Sequence, residues 1–391
     1  MKKILILAND VTTVVQFRTE LVKALVDEGN EVLVSIPKSD RNHEITDLGA
    51  KVIETVSSRH GTNPLEDFKL FLNYIKLLKE HKPDIVLTYT VKPNSYGGMA
   101  CGLLKIPYVS NVTGLGVIED KGNLQKIMLM LYKVGCRKAK CVFFQNKSNL
   151  EFFRQKKIVG ENVVLLPGSG VNTEKFSYAP YPQSEKTNIV FVGRIIKDKG
   201  VFELAEVAKQ YLDNKNVQFT IVGDVEYGSQ NPFSGLSNVN CVGFHKDVRP
   251  FLKDAHAVIL PSYHEGMANV LLEGAASGRP IIASLIPGCK ETFDEGETGF
   301  GFTVKDADSI KNAIDKFLSL SQEQKCEMGK KGRTKMENQF DRKIVIQKYF
   351  DLLDNEDDIE LIGLKHWVNC NKREDYKLID NYWRINHENI R

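Results

Sequence analysis

Ala257-Val258-Ile259-Leu260-Pro261-Ser262-Tyr263-His264-Glu265-Gly266-Met267-Ala268-Asn269-Val270-Leu271-Leu272-Glu273-Gly274-Ala275-Ala276-Ser277-Gly278-Arg279-Pro280 changes periodicity once along its length. The apolar run 257–260 reads as a strand, with Pro261 at its exit. Residues 268–276 read as a short helix, with Gly278 and Pro280 as stop signals. Glu265 then lies in the loop and Glu273 inside the helix, so two carboxylates bracket one strand–loop–helix junction. Free backbone N–H groups at a helix start bind phosphate, and the helix dipole favours the negative charge. A carboxylate beside a phosphate repels it, so these two are better aimed at the hydroxyls of a sugar or ribose. A nucleotide sugar carries both groups.

The same alternation extends in both directions. Towards the N-terminus, strands are expected at 3–7, 31–36, 51–54, 85–88, 108–110, 141–144 and 163–166, with helical patterns at 14–28, 65–81, 95–104, 124–137 and 148–156. Strands alternating with helices specify a parallel, doubly wound α/β sheet. Turn residues at 166–173 and a Pro- and Ser-containing stretch at 178–185 interrupt the series and read as a connection. A second series follows, with strands at 188–192, 217–222, 239–242, 257–260 and 281–283 and helices at 199–212, 247–253 and 268–276. Helices at 308–318, 322–339 and 343–353 close it. The expected domains are 1–170, 171–340 and a C-terminal helix and tail at 341–391. Two Rossmann-like halves would enclose a cleft at the carboxyl ends of their strands, where such sheets bind ligands.

Composition narrows the function classes. A chain of 391 residues suits two domains, and 42% hydrophobic with 26% charged residues is ordinary for a globular protein. A net charge of +3 provides no bulk field for nucleic acid, which is not expected as a partner. Charge is uneven locally: Lys121, Lys126, Lys133, Arg137, Lys138, Lys140 and Lys147 fall in a window without an acid. Seven cysteines without a C-x-x-C pair suggest neither a disulfide framework nor a zinc site and fit a reducing cytoplasm. Met1-Lys2-Lys3 begins like a signal peptide, but its apolar run ends at Asn9-Asp10 and reads as a first strand. No run approaches the ~20 apolar residues of a spanning helix. The expected location is the cytoplasm, free or peripheral on the inner membrane. The tail carries six acids over 351–360, then Trp367, Tyr376, Tyr382 and Trp383. Disordered tails are usually poor in aromatics, so this one is expected to pack on the N-terminal domain.

Phe191-Val192-Gly193-Arg194-Ile195-Ile196-Lys197-Asp198-Lys199-Gly200 also follows a strand and opens a helix. Gly193 permits close backbone approach, and Arg194 and Lys199 put two cations at a strand end. A diphosphate leaving group needs such charge when no metal supplies it.

These segments resemble a retaining family 4 glycosyltransferase of the GT-B fold. Glu265 and Glu273 match the E-x7-E pair, and Gly193 to Gly200 matches G-R-x-x-x-x-K-G. Pro287-Gly288-Cys289-Lys290-Glu291 and Gly296-Glu297-Thr298-Gly299 stand where that family has G-x-x-E and D-G-x-T-G elements. The match covers about residues 1–353. The resemblance implies that Arg194 and Lys199 hold the diphosphate, Glu265 contacts the transferred sugar and Glu273 binds the ribose. The amides of Gly266, Met267, Ala268, Asn269 and Val270 would face phosphate or sugar, and the backbone at His245 and Asp247 would read the base.

The N-terminal half departs from the commoner family pattern. Its first loop, Asn9-Asp10-Val11-Thr12-Thr13-Val14, has no glycine, and Asn111-Val112-Thr113-Gly114-Leu115-Gly116 stands where many members have a histidine. With Tyr89-Thr90-Val91-Lys92-Pro93-Asn94, that loop is similar to a bacterial subgroup that builds lipid-linked polysaccharide and glycan precursors. The resemblance implies a UDP-sugar donor, such as UDP-GalNAc, UDP-Gal or UDP-GlcNAc, a polyprenyl-diphosphate-linked acceptor, and no cofactor or metal. Acceptor-side candidates are Thr13, Lys92, Asn94, Thr113, Gly114, Lys133 and Arg137. A front-face displacement, with the leaving phosphate taking the acceptor proton, needs no histidine.

Weaker signals resolve locally. Asp306-Ala307-Asp308 is formally D-x-D but precedes a helical pattern, so helix capping is expected. His60 reads as a loop histidine. Residues 65–78 read as an ordinary core-facing helix; 124–134, beside the basic cluster, reads either so or as a surface for a membrane or lipid diphosphate. Other classes stay open here. A transferase with a soluble acceptor would share the motifs, and a non-catalytic two-lobed sugar-nucleotide-binding protein would share the cleft. A nicotinamide dehydrogenase should carry G-x-G-x-x-G after its first strand, where this chain has Ala8-Asn9-Asp10.

Overall fold

The computed structural model describes residues 1–55, 63–114, 122–226 and 230–354. His60, Leu115, Gly116, Lys121 and the tail residues Trp367, Tyr376, Tyr382 and Trp383 lie outside the described residues, as does the expected packing of the tail. Residues 1–346 form one compact unit and 347–391 a second, described only as far as Asp354.

The first sheet is built from β1 (Lys3–Leu7), β2 (Glu31–Ile36), β3 (Lys51–Glu54), β4 (Ile85–Tyr89), β5 (Tyr108–Val112), β6 (Cys141–Phe144) and β7 (Val163–Leu165). Its helices are α1 (Val11–Val15), α2 (Thr19–Asp27), α3 (His43–Thr46), α4 (Pro64–His81), α5 (Gly98–Leu104), α6 (Gly122–Cys136) and α7 (Lys147–Gln155). The second sheet contains β8 (Thr187–Val192), β9 (Val217–Val222), β10 (Val239–Gly243), β11 (Ala257–Leu260), β12 (Ile281–Ser284) and β13 (Gly299–Phe302). It is accompanied by α8 (Val201–Gln210), α9 (Arg249–Lys253), α10 (Asn269–Ala276), α11 (Ala307–Ser319), α12 (Gln322–Lys335) and α13 (Arg342–Asp354).

Among the described residues the strand orders are β3-β2-β1-β4-β5-β6-β7 and β10-β9-β8-β11-β12-β13, with every pair parallel. Each order reverses once, between β1 and β4 and between β8 and β11. Strand order reverses where consecutive crossovers leave in opposite directions, and a crevice opens there at the carboxyl edge. Strands buried on both faces explain the near-continuous apolar runs, such as Ile4, Leu5, Ile6 and Leu7. On the first sheet, Leu70, Tyr74, Leu77 and Leu78 of α4 pack against Leu5, Leu7, Leu33 and Val86. Burying such a side chain contributes about 1.5–3 kcal/mol.

Local chemistry sets the element ends. Asn63 caps α4, its Oδ1 accepting from Leu65 N at 3.0 Å, with Pro64 in the first turn. The expected helix at 14–28 is instead α1 and α2, and α1 starts early because Asp10 Oδ1 accepts from Thr13 N at 2.8 Å. The expected helix at 95–104 opens with a wide, π-type turn over Pro93–Gly97. There a Cβ on Gly135 of α6 would lie 2.3 Å from Asn94 O, so α6 crosses this turn in backbone contact. The strand β13 was not expected, because two of its four residues are glycine. A Cβ on Gly299 would lie 2.2 Å from Ile281 O of β12, which explains that choice.

No regular element occupies 166–186, between β7 and β8. Val171 N donates to Phe340 O at 2.8 Å and Arg342 N to Val171 O at 2.9 Å, so the chain's outward and return passages run side by side. Arg342 clamps them: Nε donates to Ser169 O at 3.2 Å, Nη2 to Gly170 O at 3.0 Å and Nη1 to Glu20 Oε2 at 2.5 Å.

Candidate active site

The loops after β8 and β11 meet at the reversal of the second sheet. After β8 the chain turns through Lys197–Lys199 into Gly200, whose φ of 68° lies in the left-handed region. A Cβ there would lie 2.0 Å from Pro261 O, so glycine lets the two loops touch. Tyr263 N donates to Asp198 O at 2.9 Å, and Tyr263 OH to Glu203 Oε1 at 2.5 Å. This packing brings Lys199 Nζ to 2.5 Å from Glu265 Oε1, with side chains 23% and 14% exposed. Sixty-odd residues apart in sequence, the two form one half-buried ion pair.

The Glu265–Ala268 loop is held from four directions. Asn146, which caps α7, donates from Nδ2 to Gly266 O at 2.7 Å. A Cβ on Gly266 would lie 1.8 Å from Thr113 O, and Gly114, at φ 141°, faces the same glycine. A Cβ on Gly168 would lie 2.4 Å from Met267 Cγ. Ala268 N donates to Gly288 O at 2.8 Å, while Gly288 N donates to Glu291 Oε2 at 2.7 Å. Of the amides expected to face a ligand, that of Ala268 is therefore occupied within the protein. Helix α10 begins without a side-chain cap, so the N–H groups of Asn269 and Val270 in its first turn have no intrahelical acceptor.

Glu273 projects from α10 and is half-buried, with no donor reaching its carboxylate among the described residues. Burial pushes its pKa up from 4.5 to about 7, against the pull of Arg342 and Lys175. An acid so placed gains from a hydroxyl partner, which satisfies its oxygens without demanding full charge.

At the next strand ends, Gly193 N donates to Val222 O at 2.9 Å and Gly223 N to Gly243 O at 2.8 Å. A Cβ on Gly223, at φ 147°, would lie 2.0 Å from Gly193 O, so the two backbones approach closely here. Arg194 sits at the rim, its Nη1 donating to Glu226 Oε1 at 2.8 Å. His245 Nε2 lies 3.2 Å from Val242 O, and its ring packs edge-on against Phe251. The Asp247 carboxylate accepts from Arg249 Nε at 2.8 Å and Nη2 at 2.7 Å, which holds its pKa down near about 2. Asp306 Oδ1 accepts from Ser309 N at 2.9 Å, the helix cap expected of it.

The acceptor-side candidates separate. Asn94 is fully buried, accepting from Thr88 Oγ1 at 2.6 Å and donating to Asn111 O at 2.8 Å. The wide turn thus places this acceptor-side candidate inside the core, with both ends of its amide engaged. Thr13 Oγ1 donates to Asp10 Oδ2 at 3.2 Å as part of the α1 cap. Lys92 Nζ lies 2.8 Å from Asp67 Oδ1, and Tyr96 OH donates to Asp67 Oδ2 at 2.9 Å, tying the wide turn to α4. Lys133 and Arg137 are exposed on and just beyond α6. Thr113 and Gly114 form the loop against Gly266. Thr90, not among the expected residues, follows β4 at the reversal of the first sheet with φ 70°. A β-branched residue rarely adopts that conformation, and its hydroxyl is buried without a partner among the described residues. Nothing in Tyr89-Thr90-Val91 signals this, whereas the N-cap role of Asn146 was readable from Asn146-Lys147-Ser148.

Comparison with known proteins gives the same outline. Residues 186–320 match the family described as Glycosyl transferases group 1, and residues 3–146 match Glycosyl transferase 4-like. Residues 312–383 match a domain of unknown function. The chain is 30% identical to the Campylobacter jejuni N,N'-diacetylbacillosaminyl-diphospho-undecaprenol alpha-1,3-N-acetylgalactosaminyltransferase, over 88% of this chain and 96% of that protein. It is 28% identical to the Escherichia coli UDP-Gal:alpha-D-GlcNAc-diphosphoundecaprenol alpha-1,3-galactosyltransferase, over 74% of this chain and 79% of that protein. Among solved structures, Anabaena HepE in complex with UDP and glucose gives a TM-score of 0.76 at 17% identity, covering 91% of this chain and 100% of that one. Sucrose-phosphate synthase from Thermosynechococcus elongatus gives 0.75 at 19% identity, covering 90% and 98%. With two facing Rossmann-like sheets and this degree of likeness along its length, the chain belongs to the family 4 glycosyltransferases and has their GT-B fold.

Proposed function

We propose that the chain moves a sugar, with retention, from a UDP-sugar such as UDP-GalNAc, UDP-Gal or UDP-GlcNAc to a polyprenyl-diphosphate-linked saccharide at the cytoplasmic face of a bacterial inner membrane. The observation that carries the proposal is the Lys199–Glu265 pair beside the uncapped start of α10 and the half-buried Glu273. The names of the Campylobacter and Escherichia relatives, both acting on diphosphoundecaprenol-linked sugars, support the acceptor class. In this reading 1–170 is the acceptor-binding half, 171–340 the donor-binding half, and 341–391 a C-terminal helix and tail.

Each group has one task. The amides of Asn269 and Val270 and the cations Lys199 and Arg194 take the diphosphate. Glu273 accepts from the ribose hydroxyls, and Glu265 from a hydroxyl of the transferred sugar. The bond from C1 to the diphosphate oxygen breaks as the acceptor oxygen bonds C1 on the same face, and the acceptor proton passes to the departing phosphate. Lys199 stabilises the charge that builds on that oxygen. The exposed cations Lys133 and Arg137 of the α6 region meet the lipid diphosphate.

The test is transfer from a panel of UDP-sugars to a polyprenyl-diphosphate saccharide and to the same saccharide without lipid, followed by mass spectrometry. Product is expected with the lipid-linked acceptor and one donor. Equal turnover on the free saccharide would overturn the acceptor assignment.

A further inference from the structure

We propose that α4 is a second membrane-seating helix, so that α4 and α6 together rest on an anionic bilayer on either side of the wide turn at Pro93–Gly97. The inference rests on the reading of a lipid-linked acceptor and adds a surface to it. Periodicity placed α4 in the core, and Leu70, Tyr74, Leu77 and Leu78 do lie there. Its opposite face is not polar. Leu65, Phe68 and Leu72 on α4, and Ile127, Met130 and Val134 on α6, are between 47% and 72% exposed. Both triplets fall at i, i+3 and i+7, so each forms one stripe along its helix. Helix α5, with Leu103 exposed at its end, packs against both α4 and α6. Single exposed apolar residues are ordinary, but a stripe with the same spacing on each of the two helices that pack on α5 is not.

Charge decides what the stripes face. Lys69, Lys76 and Lys79 continue the outer face of α4 and are exposed. Lys126, Lys133 and Arg137 border the stripe of α6, in a window free of acids. Three acids stand on α4 beside these lysines: Asp67 is paired with Lys92, Glu66 accepts from Asn63 Nδ2 at 3.4 Å, and Glu80 lies at the C-terminal end 3.9 Å from His81. Apolar stripes edged by lysine fit the boundary between anionic headgroups and acyl chains, where the ammonium groups reach the phosphates and the stripe meets the chains. The carboxyl edge of the first sheet, and with it the cleft, would then lie beside the membrane.

The full chain is tested by sedimentation with vesicles containing anionic lipid and with zwitterionic vesicles alone. Wild type should bind the anionic vesicles, and Phe68→Ser with Leu72→Ser should weaken that binding about tenfold or more. Ile127→Ser with Met130→Ser should do so to a similar extent, and both variants should keep the wild-type melting temperature. Both should retain wild-type turnover on a detergent-dispersed polyprenyl-diphosphate acceptor. Loss of binding in the α6 variant alone would overturn the role of α4 and leave the glycosyltransferase reading intact. So would turnover by a wild type that binds no vesicles. A dimer dissolved by the α4 substitutions, with vesicle binding unchanged, would assign the face to a second copy and overturn the proposal. Absence of transfer to the dispersed lipid acceptor would count against the acceptor reading itself.

Discussion

Lys199 Nζ lies 2.5 Å from Glu265 Oε1, joining the turn before α8 to the loop before α10. The cation proposed for the diphosphate is thus held by the carboxylate proposed for the sugar. On the proposed function, donor binding would exchange partners, the diphosphate taking Lys199 and the sugar taking Glu265.

Glu265→Gln should lower kcat by about two orders of magnitude. UDP itself should bind as well as to wild type or better, because Lys199 is released. Calorimetry with UDP beside a turnover assay reads both quantities; full turnover, or a collapse of UDP binding, would reverse the assignment.

Lys199 and Arg194 should not be equivalent. Lys199→Ala leaves the half-buried Glu265 without its cation and should cost about 1–3 kcal/mol of stability as well as most of the turnover. Arg194 is exposed at the rim and paired with Glu226, so Arg194→Ala should chiefly weaken donor binding and leave the melting temperature near wild type. Equal effects on stability would contradict the burial difference.

Glu273 gives a pH signature. Its folded pKa of about 7 lies above the ordinary 4.5, so its protonation stabilises the ligand-free fold fully below pH 4.5, and that contribution is lost as pH rises towards 7. Glu273→Gln should flatten the fall in melting temperature across this window. Glu273→Ala should weaken UDP by about 1.5–3 kcal/mol. A variant whose melting profile parallels wild type would remove the basis for the shifted carboxyl.

Chelation should leave transfer largely intact, because Lys199 and Arg194 supply the charge and Asp306 is engaged as a helix cap. Activity that collapses in EDTA and returns with Mg or Mn would overturn this cation assignment.

Gly266→Ala should impair turnover more than the small change suggests. The added Cβ would stand 1.8 Å from Thr113 O, forcing the two halves apart at the loop that carries Glu265. A variant with unchanged turnover and an unchanged melt would mean that this contact is not required in the working state.

The fold was legible because a parallel sheet writes itself as repeated apolar runs, and because Gly200, Gly278 and Pro280 punctuate the helices. The Lys199 and Glu265 segments were legible for a related reason, since both are strand exits of the same periodic series. Errors occurred where packing overruled local pattern. The turn at Pro93–Gly97 widens so that Gly135 can cross it, which buries Asn94. Strand β13 consists half of glycine because β12 leaves no room for a Cβ at Gly299.

The sequence by itself determined the class of fold, the order of its elements and which residue types stand at the strand exits, because these follow from periods of two and 3.6 residues and from turn chemistry. Only the tertiary structure decided which of those residues meet. The pairing of Lys199 with Glu265, the seat of Gly266 against Thr113, the clamp of Arg342 on 169–170 and the exposed stripe of α4 all depend on distances between segments remote in sequence. A helical period says that one face is apolar; it does not say whether the opposite face meets water, a membrane or another part of the chain.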